Sequence, residues 1–92
     1  MKHTKKILSK FYKEVIAGSK TFEIRNEDDC RYEVGDVIEL VEVEESTGPT
    51  GCNQLTEVTY RLDSNDFPEG IKEGYVILGI KLRSGEECQQ RL

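Results

Sequence analysis

Ninety-two residues bearing 13 Lys and Arg against 18 Asp and Glu, a net charge of −5, suit one small domain and argue against tight non-specific coating of a polyanion. The charge is unevenly placed: residues 1–25 carry seven basic residues against two acidic ones, net +5, which leaves −10 for the remainder. One positive surface on an acidic body is the expectation, set against the plainer reading of a solvated lysine-rich helix face.

In chain order, "HTKKIL" is short and fits a strand that leads Ile7 and Leu8 into the core. Ser9 then precedes "KFYKEVIAG", where Phe11, Tyr12, Val15 and Ile16 recur at helical spacing and Gly18 follows as a stop. This predicts a short amphipathic helix capped by Ser9, with its lysines outward. After Gly18 the period changes to two, so "KTFEIR" reads as a half-buried strand with Phe22 and Ile24 toward the core and Thr21, Glu23 and Arg25 on the opposite face. "VGD" at Val34–Asp36 marks a turn into "VIELVEVEE", the clearest strand. A loop carrying Gly48, Pro49 and Gly51 is expected next, then a strand "LTEVTYRL", a second loop "DSNDFPEG", and "GYVILGIKL" as a central strand covered on both faces. One helix among strands without βαβ alternation predicts an α+β fold, a small mixed β-barrel with one or two short helices. The domain is expected to span 1–92, with an ordered core of about 3–83 and a fraying tail at 84–92.

Cys30, Cys52 and Cys88 are odd in number and scattered, and no signal peptide precedes them. Free thiols and a cytoplasmic setting are the expectation. With a single histidine and no clustered ligand spacing, neither metal nor cofactor is expected. No apolar run approaches the ~18 residues of a membrane span, so no membrane partner is expected either.

The candidate site is the polar face of "GSKTFEIR". Thr21, Glu23 and Arg25 share it by alternation, and Lys20 at the bend after Gly18 can swing toward it. Glu23 can orient Lys20 or Arg25 and aim their donors at a ligand oxygen. The competing reading is a salt-bridge ladder, which contributes ~0–1 kcal/mol when exposed.

The octapeptide fits G-x-K-x-x-E-x-R and resembles the signature of the ASCH domain (activating signal cointegrator homology), whose superfamily has a PUA-like β-barrel. "VGDVIEL", the Pro49–Gly51 "PTG", the closing "GIKEGYVILGI" and the His3-x-x-Lys6-Ile7 start are similar to the small bacterial and phage branch of unknown function. The likeness covers residues 3–82. It implies a PUA-like barrel and an RNA- or nucleotide-binding cleft between barrel and helix. Lys20, Glu23 and Arg25 match the motif, Gly18 makes the turn, and His3 and Thr21 stand as neighbours. Two departures stand out: "NEDDCRYE" is more acidic than the branch's usual run, with Arg31 as a substitute arginine, and Cys52 follows Thr-Gly where a basic residue is usual.

The expected partner is therefore RNA or a nucleotide, held weakly and with salt sensitivity, with Tyr32 and Phe67 as stacking rings and Phe11, Tyr12 and Phe22 assigned to the core. A nucleic-acid-processing enzyme is the alternative, since some ASCH relatives are amidohydrolases on acylated nucleosides and others are described as ribonucleases. The amidohydrolase relatives carry a threonine where Glu23 stands here, while His3, Glu23, Lys20 and Arg25 supply the residue types a ribonuclease needs. A third reading takes Glu42, Glu44, Glu45, Asp28 and Asp29 as a docking surface for a basic partner; solubility explains them more simply.

Overall fold

The computed structural model describes residues 1–89 and arranges them as β1 (Lys2–Leu8), α1 (Ser9–Ala17), β2 (Phe22–Asn26), β3 (Val37–Glu44), β4 (Gly48–Asp63), β5 (Tyr75–Leu82) and β6 (Glu87–Cys88). The strands form one mixed sheet in the order β1-β3-β4-β5-β2, with β6 added to β4. β1 runs parallel to β3 and every other pairing is antiparallel. The sheet curls into a half-barrel with one short helix, so the α+β expectation holds.

Curvature comes from β4. Its first half pairs with β3 and its second half with β5, and register shifts near Val41/Val43 and Val58/Tyr60 bend it. The curl brings Ile7, Ile38, Leu40, Val58, Val76 and Leu78 together beneath Tyr12 and Val15 of α1. Gly18, at φ +83°, ends the helix in the left-handed region that favours glycine, and the amides of Gly18, Ser19 and Lys20 satisfy the carbonyls of Val15 and Glu14.

Several expectations are corrected. Ser9 is not the helix cap: Leu8 occupies that position without a side-chain bond, and the buried Ser9 hydroxyl donates to Glu42 on β3. Gly48, Pro49 and Gly51 belong to β4, with the turn at 45–47, because the glycines at φ +80° and +93° let the strand start through an irregular ladder. β5 is an inner strand, but only its Val76, Leu78 and Ile80 face is fully buried.

The cysteines are not all free thiols, since Cys52 and Cys88 form a disulfide and only Cys30 remains reduced. They meet because β6 pairs Cys88 with Cys52 across the ladder. The predicted tail is thus tethered as far as it is described, and Tyr12 also donates to Glu86 at 2.7 Å; positions 90–92 lie outside the described residues.

Half-buried ionic contacts fasten the half-barrel. Arg61 on β4 donates to both Glu27 oxygens at 2.6 and 2.7 Å, to the Tyr32 carbonyl at 2.7 Å and to Asp63 at 3.0 Å. Glu27 also accepts from the Tyr32 amide at 2.9 Å, which seals the 27–36 connection over the core. Arg61→Met strands a poorly hydrated Glu27, so a loss of about 3 kcal/mol is expected. Urea unfolding of the variant beside the wild type measures it, and equal midpoints would show that the pair contributes nothing.

Candidate functional site

The register of β2 decides which side chains meet. Phe22 opposes Gly79, Glu23 opposes Leu78, Ile24 opposes Ile77 and Arg25 opposes Val76. Directly opposed residues share a face, and Leu78 and Val76 point into the core. Glu23 and Arg25 are therefore turned inward, while Phe22 and Ile24 lie on the outer face. This reverses the expected polarity: Glu23 is 4% exposed, whereas Phe22 and Ile24 are 43% and 57% exposed.

A carboxylate at that depth needs partners. Arg25 supplies two, with Nε at 3.0 Å and Nη2 at 2.7 Å from Glu23 Oε1, and Lys20 Nζ donates to Oε2. Lys20 also donates to the Phe22 carbonyl at 2.6 Å and lies 4.9 Å above the Phe22 ring. Arg25 Nη2 reaches the Lys6 carbonyl at 3.2 Å and so spans the seam between β2 and β1, the two ends of the sheet order. Two cations on one carboxylate leave the group one positive charge.

This triad borders an open cleft of about 420 Å³ between β1, α1 and β2. Lys6, Ile7 and Leu8 form one wall, β2 forms the other, and Phe11 on α1 stands at the rim, 43% exposed. Phe11 and Phe22 are thus not core residues, as their hydrophobicity suggested. The sequence signal that could have found Phe22 is the motif itself: turning Glu23 and Arg25 inward obliges Phe22 outward.

The remaining predicted residues sit elsewhere. Gly18 and Thr21 border a narrow recess of about 40 Å³ on the Val15 and Ile80 side of Lys20, and the Thr21 carbonyl accepts from the Ile80 amide at 2.9 Å. His3 is buried with Nε2 2.8 Å from Asp36 Oδ2 and its ring 4.7 Å from that of Tyr32, and it does not line the cleft. The residue set named for a ribonuclease is accordingly not brought to one place. Tyr32 is core rather than a stacker, held by the Arg61 and Glu27 contacts, and Phe67 is exposed above Gly70, away from the cleft. Arg31 pairs with Glu33 on the surface. On the other side of Arg25 a second hollow, of about 460 Å³, sets Lys5 and Arg25 against Asp28 and Asp29, so its lining charges balance.

Among the described residues, Cys52, Glu86 and Cys88 are the one His, Cys, Asp or Glu group close enough to hold a metal ion, and the disulfide occupies both sulfurs. No described helix is long and apolar enough to cross a membrane. A family model described as "Domain of unknown function (DUF3850)" matches residues 2–80. No curated protein matches the chain.

Two outcomes test this geometry. Glu23→Gln keeps the shape but leaves two cations facing a neutral amide, so a loss of about 2 kcal/mol in chemical denaturation is expected; an unchanged midpoint would mean the triad does not hold β2. Burial pushes the Asp36 carboxyl up, but hydrogen bonds from His3 and the Glu33 amide outweigh it and hold its pKa at about 2, below the ordinary 3.8. A folded pKa below the unfolded one stabilises fully above pH ~4, and the contribution is lost as pH falls through about 2. Thermal unfolding followed from pH 5 to pH 2 should therefore show a shallower fall for Asp36→Asn than for the wild type.

Proposed function

We propose that this chain, which belongs to the DUF3850 family, is an ASCH-type, PUA-like domain that binds RNA or a nucleotide by holding an anionic group at Lys20 and Arg25. One observation carries the reading: Lys20 and Arg25 of the motif converge on its third residue, the buried Glu23 carboxylate, at the wall of one open cleft. The G-x-K-x-x-E-x-R resemblance and the curled mixed sheet support it.

Glu23 acts here as a positioning group. It fixes two flexible cations in place, which lowers the entropy lost when they engage an anion. Arg25 uses Nε and Nη2 for Glu23 and Lys6, so among the described residues Nη1 remains for a ligand oxygen. One net positive charge on a body of −5 predicts modest, salt-sensitive binding.

Titration of short single-stranded RNA at low and moderate salt checks the reading. With one phosphate held by the pair, log K should fall against log salt with a slope of only about −0.7. Lys20→Ala and Arg25→Ala are each expected to bind roughly tenfold more weakly, the net worth of one charge-assisted hydrogen bond. Equal binding by all three proteins would overturn the proposal.

A further inference from the structure

Two phenylalanines at one cleft ask for a ligand that the anion-binding pair alone does not explain. Phe11 comes from α1 and Phe22 from β2, and each leaves 43% of its surface open beside Ile24. Phe22 lies opposite Gly79, which offers no side chain for the ring to lie on across the strands. Exposed apolar surface gathered at a concave site marks a binding face.

The same cleft has a second, polar demand. The Glu23 carboxylate offers about four acceptor positions. Arg25 fills two at Oε1 and Lys20 fills one at Oε2, which leaves one acceptor position on a carboxylate that lines the same cleft as the rings. An inorganic anion would satisfy Lys20 and Arg25 but leave both rings wet. A purely apolar ligand would cover the rings but strip water from three charged groups without replacing it.

Resting on the anion-binding reading above, we infer that the cleft takes a single unpaired nucleobase together with its adjoining phosphate. The base lies against Phe11 and Phe22, one of its N–H groups donates to Glu23, and the phosphate meets Lys20 and Arg25. A volume of about 420 Å³ suits one nucleotide unit. A paired base, with both faces covered by its neighbours in the stack, has no ring face to offer Phe11 and Phe22. Single bases splayed onto aromatic rings are how proteins commonly read unpaired RNA.

The test compares a short single-stranded RNA, the same strand made abasic, and a nucleoside 5′-monophosphate, each titrated against the wild type, Phe11→Leu, Phe22→Leu, Phe22→Trp and Lys20→Ala. Each leucine variant should weaken the base-bearing strand roughly tenfold, the order of one lost stacking contact, and leave the abasic strand unchanged. Phe22→Trp should keep the affinity, and Lys20→Ala should weaken every ligand. Phe-dependent binding of the monophosphate identifies a free nucleotide as sufficient, while Phe-dependence confined to the strand identifies RNA; both support the inference. If the leucine variants bind the base-bearing strand like the wild type while Lys20→Ala does not, stacking is overturned and the anion reading stands. If they weaken abasic and base-bearing strands alike, stacking is again overturned. If the wild type binds none of the three ligands, the anion reading falls and this inference with it.

Discussion

The buried carboxylate of Glu23 is the constraint around which the cleft is organised. Its depth follows from the pairing of β2 with β5, which sets Glu23 opposite the buried Leu78. An uncompensated charge there would cost several kcal/mol, so both cations of the motif are drawn onto it. Arg25 then has Nη2 in reach of the Lys6 carbonyl on β1. In this way one carboxylate indirectly ties the two ends of an open sheet, whose seam is closed by side chains instead of a ladder. Unpaired strand edges invite association with other strands, and a guanidinium laid across this seam also blunts that liability.

The rest of the fold holds the seam at a fixed width. β4 is long and bent, so it serves both halves of the sheet and sets the distance from β1 and β3 to β5 and β2. Arg61 on the same strand fastens the 27–36 connection through Glu27 and the Tyr32 carbonyl. At the other end, the Cys52–Cys88 bond and the Tyr12–Glu86 hydrogen bond hold the final described segment against β4 and α1. Tyr12 is the chain neighbour of Phe11, so the contact that anchors the helix also sets where the Phe11 backbone stands at the rim of the cleft.

Local patterns made much of this readable from the sequence. Period-two alternation in "KTFEIR", period 3.6 in "KFYKEVIAG" and the glycine after it locate β2, α1 and their junction with no tertiary information. What alternation cannot supply is which face turns inward. Hydrophobicity favours Phe22 and Ile24, yet the register with β5 outweighs it, because an edge strand inherits its orientation from its one partner. Tyr32 differs for a related reason: it lies in a polar connection, and its ring is buried by residues distant in sequence, such as His3, while Arg61, 29 residues away, holds its carbonyl. The disulfide was equally hidden, since 36 residues separate its cysteines and only the pairing of β6 with β4 joins them.

The inverted strand also changes what the motif can do. Had Lys20 and Arg25 projected from an outer face, they would have formed an exposed pair of charges, worth little individually and readily screened. Set beside a buried carboxylate, they are pre-aimed but already partly satisfied. On the anion-binding reading proposed above, an incoming anion would have to share Lys20 and Arg25 with Glu23, which would limit the affinity that charge alone can provide. Discrimination would then fall to the exposed Phe11 and Phe22 rings, each of which has, among the described residues, only a lysine ammonium about 5 Å from its centroid, Lys10 at 5.0 Å and Lys20 at 4.9 Å. On the proposed reading, placing the ionic residues inward and the aromatic ones outward would give charge the task of positioning a ligand and the rings the task of selecting it.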